Sequence, residues 1–196
     1  MKAMKSITIG VATLAAVAAV AAQNPPARGG GPAAPPMTLT TNAWPDGADI
    51  PAKYTQAGEQ VSPELKWTNA PAGTVSFVLL MHDVDSAQNG TTDDQLHWLV
   101  WDMPGTATGL PEHVAQGAQL SDGSQQISAS GPVYRGPGAP ATGPKHHYTL
   151  EIFALDTKLN VPAAATWQET RVNVVKAMQG HVKGKAVYVG LFHRPQ

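Results

Sequence analysis

The sequence predicts a mainly β domain, a sandwich decorated by one helix near its C-terminus and connected by long loops. Short apolar runs of strand length recur along the chain, and they alternate with turn clusters such as "PDG", "NAPAG" and "MPGTATG". One segment close to the C-terminus combines a capping signal with the apolar periodicity of a helix. Together these patterns indicate a β-rich fold with a single helical element.

Five segments carry the strand signal, in chain order. The first, "MTLTT" at 37–41, alternates between apolar and polar residues, as a half-buried strand does. The runs "VSFVLLMHD" at 75–83 and "LHWLVWDM" at 96–103 are apolar almost throughout, which is typical of strands covered on both faces. The segments "YTLEIFALD" at 148–156 and "AVYVGLFH" at 186–193 complete the predicted set.

The predicted helix follows Thr166, whose spacing from Glu169 is that of a capping box. Gly180 is the residue type that commonly ends a helix. The apolar residues that recur between them, and that we expect on the buried face, are Val172, Val175 and Met178. This helix would follow the fourth predicted strand and precede the fifth.

The N-terminal part of the 196-residue chain predicts export. Residues 1–22 begin with a basic stretch, continue with the apolar run "ITIGVATLAAVAAVAA" and end in small residues at Ala22. This is the layout of a secretory signal peptide cleaved near Ala22, and an uncleaved N-terminal anchor is the alternative. The Pro-, Gly- and Ala-rich residues 23–36 predict a tether, and residues 37–196 predict one domain. We therefore expect a periplasmic or secreted protein.

The composition excludes several classes of function. The chain contains no cysteine, so thiol catalysis, thiolate metal sites and a lipidated cysteine anchor are ruled out. Its formal net charge is −1, only 14% of its residues are charged, and no basic stripe occurs. We therefore expect no nucleic-acid partner.

Two aspartates end the second predicted strand. In extended geometry residues i and i+2 share a face, so Asp83 and Asp85 are expected on one side and His82 on the other. Neighbouring carboxylates repel each other and need donors or cations close by. A simpler interpretation is that both aspartates cap a turn, because Asp accepts hydrogen bonds from its own loop backbone.

Histidines stand at the starts of two other predicted strands. His97 precedes the apolar core of one strand and adjoins Trp98, where a structural histidine is as ordinary as a functional one. His146 and His147 are adjacent, so on a strand they face opposite sides, and Tyr148 shares the face of His146. A loop rich in Gly and Pro leads into this group.

The order of these motifs resembles the phosphatidylethanolamine-binding protein (PEBP) family, in particular its bacterial, Raf-kinase-inhibitor-like branch. The resemblance covers about residues 37–194. The segments that carry it are "SPELKWTNAPAGTVSFVLLMHDVD", "DVDSA", "HWLVWDMP", "GPGAPATGPKHHYTLEIFALD" and "VVKAMQGHVKGKAVYVGLF". Each motif is weak alone, and their joint order is specific.

The resemblance implies an antiparallel β-sandwich with a small anion pocket near one end of the central sheet. The residues that it assigns to ligand binding are Asp83, His97, His146, Tyr148, Gly136, Gly138 and Pro140. It assigns Asp85 and Trp98 to structural support of the pocket. The neighbouring Arg135 and Lys145 are expected to face solvent. No cofactor and no metal are expected.

The predicted function is that of an exported PEBP-like binding protein. Its expected partner is a small anionic ligand such as phosphate, a phosphoethanolamine-like group or a carboxylate, and peripheral lipid contact is expected as a secondary interaction. Two alternatives stay open at this point. One is a hydrolase or isomerase in which Asp83 and either His97 or His146 form an acid–base pair. The other is an inhibitor module for a protease or kinase.

A metal site is a further alternative. The candidate ligands are His82, His97, His146, Asp83 and Asp85, which suit zinc by residue type. Strand parity argues against this site, because it places His82 on the opposite face from the two aspartates.

Overall fold

The computed structural model describes residues 34–196. The predicted signal peptide and the tether up to residue 33 lie outside these described residues. Within residues 34–196 no helix is both long and apolar enough to cross a membrane.

Eight strands and one α-helix form the described part of the chain. The strands are β1 (Thr38–Thr40), β2 (Leu65–Thr68), β3 (Ser76–Ala87), β4 (Asp94–Pro104), β5 (Gly109–Leu110), β6 (Gln125–Ile127), β7 (His146–Leu155) and β8 (Val182–Phe192). The helix α1 spans Trp167–Met178, and a short 3-10 helix spans Ala52–Tyr54.

The strands form two antiparallel sheets that pack as a sandwich. The larger sheet has the order β6-β4-β3-β7-β8, and the smaller has the order β1-β2-β5. Large side chains from both sheets, including Trp67, Phe77, Trp98 and Tyr148, form the core between them. The predicted mainly β sandwich with one C-terminal helix is confirmed.

The helix α1 covers part of the other face of the five-stranded sheet. Its start follows the sequence prediction, because Thr166 Oγ1 accepts a hydrogen bond from the backbone N–H of Glu169 at 3.2 Å. The predicted buried face is wrong in two of its three residues. Val172 and Val175 are 61% and 41% exposed, whereas Val174 is fully buried.

The buried stripe of α1 is instead Thr170, Val174 and Met178, at i, i+4 and i+8. Two registers of apolar residues overlap in this sequence, and an i, i+4 stripe and an i, i+3 stripe both satisfy helical periodicity. Packing against the sheet selects the one that contains Val174. The sequence alone does not rank these two registers.

Two of the short strands have little sequence signal. β5 in the smaller sheet is two residues long, and β6 at the edge of the larger sheet is three, so neither holds an apolar run. β2 alternates regularly, with Leu65 and Trp67 buried and the residues after each of them exposed. Short edge strands of this kind are defined by their partners more than by their own residues.

Candidate functional site

One end of the five-stranded sheet brings two of the predicted site residues, Asp83 and Tyr148, together with Gln95. Asp83 on β3 pairs with Tyr148 on β7 and with Gln95 on β4. Cross-strand partners point to the same face, so the three side chains share the side that faces the smaller sheet. This register places an acid and a phenol at neighbouring positions.

His97 reaches the same face through a β-bulge. Met81 pairs with Trp98 and His82 pairs with Leu96, so His97 is an extra residue on β4. A bulge turns a side chain away from the ordinary alternation of a strand. His97 and Trp98 therefore both lie toward the sandwich interior, although they are consecutive.

These side chains border a small cavity of about 130 Å³. The residues that line it are Gln56, Asp83, Ser86, Gln95, His97, Arg135, Gly138, Ala139, Pro140, His146 and Tyr148. Sites for drug-sized ligands are larger, roughly 300–1,000 Å³. The size of the cavity therefore matches a small polar group.

Asp83, which is buried, pairs with the half-buried His146 in this cavity. The Nδ1 atom of His146 lies 2.9 and 3.1 Å from the two carboxylate oxygens of Asp83. Asp83 is only 4% exposed, and its Oδ1 also accepts the backbone N–H of Asp85 at 3.1 Å. Asp83 thus caps a turn and faces the cavity at the same time.

His97 is held in one tautomer by a backbone carbonyl. Its Nδ1 lies 2.9 Å from the carbonyl oxygen of Arg135, which can only accept, so Nδ1 carries the proton. Burial lowers the pKa of His97 to about 4, against the opposing effects of that hydrogen bond and of the Asp83 charge. His97 is therefore uncharged at neutral pH.

The hydroxyl group of Tyr148 anchors the loop that closes the cavity. Its oxygen accepts hydrogen bonds from the backbone N–H groups of Gly138 at 3.2 Å and Ala139 at 3.0 Å. Burial, with a contribution from the Asp83 charge, raises the pKa of Tyr148 well above its usual value. Tyr148 therefore keeps its proton at neutral pH, and the Asp83 carboxylate is the acceptor beside it.

The predicted rim residues of the loop differ in their placement. Gly138 and Pro140 line the cavity, but Gly136 does not. Gly136 is buried against the backbone of Tyr54 and Thr55, and a Cβ there would come within 2.7 Å of the Tyr54 carbonyl oxygen. Its small size therefore serves loop packing rather than approach to a ligand.

Arg135 lines the cavity, so the prediction that it only faces solvent is corrected. One of its terminal nitrogens donates to Ser130 Oγ at 2.6 Å. Its Nε is buried and has no hydrogen-bond partner within residues 34–196. Lys145 is exposed and pairs with Asp49 at 2.6 Å, as expected for a surface lysine.

A hydrogen-bonded contact that was not predicted from the sequence holds the cavity loop from outside, and we call it the Arg194 clamp. Arg194 donates to the Gly138 carbonyl at 2.6 Å and to Gln56 Oε1 at 3.0 Å. Gln56 in turn donates to the Gly136 carbonyl at 2.8 Å. These residues come from opposite ends of the domain and carry no local motif, so no sequence signal connects them.

Asp85, His147 and Trp98 lie beside the cavity and do not line it. Asp85 accepts from the His147 backbone at 2.6 Å and lies 2.9 Å from its ring Nδ1, which ties β3 to the start of β7. The backbone hydrogen bond and the nearby histidine lower the pKa of Asp85, although partial burial opposes this. Trp98 is fully buried, and its Nε1 donates to Gln126 at 2.9 Å.

His82, one ligand of the alternative metal site, does not join this group. It lies toward α1, with Nδ1 2.5 Å from Asp94 and Nε2 3.6 Å from Glu151. Strand parity thus separates His82 from Asp83, as the sequence predicts.

Comparison with known proteins agrees with the fold and with the order of the motifs. The family model described as phosphatidylethanolamine-binding protein matches residues 40–193. A UPF0098 protein of Methanothermobacter thermautotrophicus is 38% identical over 160 residues, which are 81% of this chain and 99% of that protein. LppC of Mycobacterium tuberculosis, described as a candidate lipoprotein, is 33% identical over 82% of this chain and 74% of its own.

Two solved structures share the fold. CT736 from Chlamydia trachomatis, described as a candidate PEBP homologue, has a TM-score of 0.66 and 28% identity, over 80% of this chain and 97% of its own. YbcL from Escherichia coli has a TM-score of 0.67 and 23% identity, over 80% of this chain and 98% of its own. The family match over nearly the whole described domain, together with this shared architecture, places the chain in the phosphatidylethanolamine-binding protein family.

Proposed function

We propose that this protein is an exported binding protein whose cavity holds a small anionic or phosphorylated group. The observation that carries the proposal is the convergence of Asp83, His97, His146 and Tyr148 on one small cavity that Arg135 also lines. Four separate segments of the chain supply these side chains.

The charges around the cavity support an anion despite the presence of Asp83. Its carboxylate is already bonded to His146 Nδ1 and to the Asp85 backbone. The hydroxyl group of Ser86, whose oxygen accepts from Gln88, and the side-chain amide of Gln95 also line the cavity and are the donors left for ligand oxygens. An anion can therefore be bound by direct donors while the negative charge of Asp83 is offset by its own partners.

The cavity volume limits what part of a ligand it can hold. A space of about 130 Å³ accommodates a phosphate-like or carboxylate group, and the remainder of a larger ligand would extend past Pro140, which is exposed at the rim. A phosphoethanolamine-like head group fits this description. Inorganic phosphate and short carboxylates fit it as well.

Export is part of the same proposal. It rests on the signal-peptide layout of residues 1–22 and on the similarity to LppC, which is described as a candidate lipoprotein. This chain has no cysteine and so has no site for a cysteine-linked lipid. Cleavage near Ala22 would release the domain, and N-terminal sequencing of the mature protein from its native compartment tests this.

A matched pair of variants tests the binding site. Phosphate or phosphoethanolamine at saturating concentration should raise the melting temperature of the wild type, by about 2–4 °C for each kcal/mol of binding free energy. His146→Ala should abolish this shift, whereas His147→Ala should keep it, because His147 lies outside the cavity. Absence of any anion-dependent shift in the wild type, or an equal loss in both variants, would refute the proposal.

A further inference from the structure

We propose that the protein has a second binding site, a groove between α1 and the outer face of the five-stranded sheet, which takes an uncharged and mainly apolar small molecule. The outer face points away from the smaller sheet, and we call this site the α1 groove. Strand alternation turns Val78, Leu80 and His82 of β3 toward the groove and Asp83 toward the anion cavity. The two sites therefore lie on opposite sides of the same strands, and this inference does not rest on the proposed anion binding.

The α1 groove is large enough for a whole small molecule. Its volume is about 790 Å³, against about 130 Å³ for the anion cavity. Sites for drug-sized ligands have volumes of roughly 300–1,000 Å³. On the sheet side the groove is lined by the apolar residues Val78, Leu80, Leu99 and Phe153. Burial against such a surface favours a hydrocarbon group over water.

The walls of the α1 groove expose apolar side chains. Val172 and Val175 on α1 are 61% and 41% exposed, and Val182 at the start of β8 is 47% exposed. They are three of the six large apolar side chains exposed in residues 34–196, and all three line the groove. The same helix turns Val174 and Met178 to the sheet, so its apolar arc is wider than the stripe that the sheet buries. Apolar patches with a polar border are typical of binding surfaces.

The polar end of the groove is a chain of five ionisable groups that bond to one another, and we call it the His82 ladder. Lys185 of β8 pairs with Glu151 of β7, and Arg171 of α1 pairs with Asp94 of β4. His82 of β3 lies between the two acids, with Nδ1 2.5 Å from Asp94 and Nε2 3.6 Å from Glu151. Each carboxylate therefore already has a cation and the histidine as its partners.

The ionisable groups that line the groove balance each other in charge. The two cations are Arg171 and Lys176, and the two acids are Asp93 and Glu151. His82 adds a charge only when it is protonated. Lys176 and Asp93 are exposed, so water and salt screen their charges.

This charge arrangement determines the chemical class of the ligand. A charged ligand group at the polar end would have to displace one member of the largely buried His82 ladder, and breaking such a pair leaves an uncompensated charge. An apolar ligand leaves the ladder intact and gains free energy from the surface that it buries. The groove therefore selects an apolar body, and any polar group of the ligand belongs at the open rim.

A fluorescence titration of the purified exported protein with N-phenyl-1-naphthylamine tests the groove, because this uncharged probe brightens in apolar surroundings. We expect saturable binding of the probe and its competitive displacement by 1-decanol. Phosphoethanolamine at high concentration should not displace the probe, because it has no apolar body and its proposed cavity lies on the other side of the sheet. Absence of saturable binding, or displacement of the probe by phosphoethanolamine, would overturn the inference.

A charge placed on either wall of the groove should block the site. Val175→Asp on α1 and Val182→Asp on β8 should each weaken probe binding at least about tenfold, because ligand burial would then desolvate a carboxylate. Val75→Asp is the matched control, since Val75 is 50% exposed and lies outside the groove. It should bind the probe within about twofold of the wild type.

Equal weakening in the control and in the wall variants would contradict the proposed site. If one wall variant does not fold, the other decides, since the two substitutions lie on different elements. The exposed valines could also pack against a second copy of the chain, and sedimentation velocity distinguishes this case. We expect the same oligomeric state in the wild type and in both wall variants. A wild-type dimer that both substitutions dissociate would assign the groove to a contact between copies and overturn the inference.

Discussion

At the scale of single residues, the three histidines nearest the cavity have three different environments. His97 is buried beside a carbonyl, His146 pairs with Asp83, and His147 lies at the surface beside Asp85. The sequence predicted that His146 and Tyr148 share a face, because strand alternation requires it. The route by which His97 joins them was not predictable, since the bulge on β4 depends on register with β3.

The depressed pKa of His97 predicts acid destabilisation. The folded-state pKa is about 4, and an unfolded histidine titrates near 6.5, so the unfolded chain binds the proton first as the pH falls. Stability should drop between about pH 6.5 and 4, by a total of about 3 kcal/mol from this residue. Chemical denaturation across this range measures the loss.

A variant isolates the contribution of His97 from that of other histidines. Burial lowers the pKa of His82, but the hydrogen bond with Asp94 and the nearby Glu151 carboxylate outweigh it and raise the pKa, so His82 acts in the opposite direction. His97→Gln should remove the acid-sensitive component and leave the rest. An unchanged pH profile in His97→Gln would contradict this assignment.

The hydrogen bonds of the Tyr148 hydroxyl predict that two tyrosine variants lose different amounts of unfolding free energy. Tyr148→Phe leaves two buried backbone N–H groups without an acceptor and should cost about 1–3 kcal/mol of unfolding free energy. Tyr134→Phe removes only a donor to the Tyr54 carbonyl, and under-bonded carbonyls are tolerated better than orphaned N–H groups. Equal losses measured by urea denaturation would contradict the anchoring role of Tyr148.

At the scale of elements, the start of α1 could be predicted from its sequence pattern, but its buried face could not. Its capping residue was predictable because the bond from Glu169 to Thr166 is local. Its buried face was not, because neighbouring valines offer two periodic stripes. In the small sheet β1 was predicted from its alternating residues, but β2 and β5 were not, since their pairing depends on partners far away in the chain.

Two valine variants test the corrected face of α1. Val174→Ala removes buried methyl groups and leaves space in the packing against the sheet, so it should cost about 1–3 kcal/mol. Val172→Ala changes an exposed residue and should stay within about 0.5 kcal/mol of the wild type. If denaturant unfolding showed a larger loss of stability for Val172→Ala than for Val174→Ala, the face predicted from the sequence would be the buried one.

Because Arg194 holds the cavity loop through the Gly138 carbonyl, its removal is expected to speed up hydrogen exchange in this loop. Arg194→Ala removes a charged hydrogen bond to the Gly138 carbonyl, so the amides of Gly138 and Ala139 should exchange with solvent tenfold faster or more. Lys145→Ala is the matched control, because that cation bonds only at the exposed surface. Equal exchange rates in the two variants would show that the loop is held by other contacts.

At the scale of the whole molecule, the cavity exists only in the folded domain. The residues that line it are spread along the sequence from Gln56 to Tyr148, and Arg194, which holds the cavity loop from outside, lies near the C-terminus. The order of the motifs made the family recognisable from the sequence, because each motif ends or starts a core strand. The long apolar strands made the fold class predictable. The Gln56–Arg194 contact and the cavity position of Arg135 required the tertiary structure.

If Asp83, His97, His146 and Tyr148 form one binding site for a small anion, both histidines must respond to the same ligand. An NMR titration of the histidine side chains with phosphoethanolamine at pH 6, using protein labelled with ¹⁵N in its imidazole rings, tests this. We expect saturable shifts of His97 and His146 with a common dissociation constant, and no such shift of His147, His113 or His181. Saturation without any change at His97 and His146, or equal changes across the exposed histidines, would contradict it.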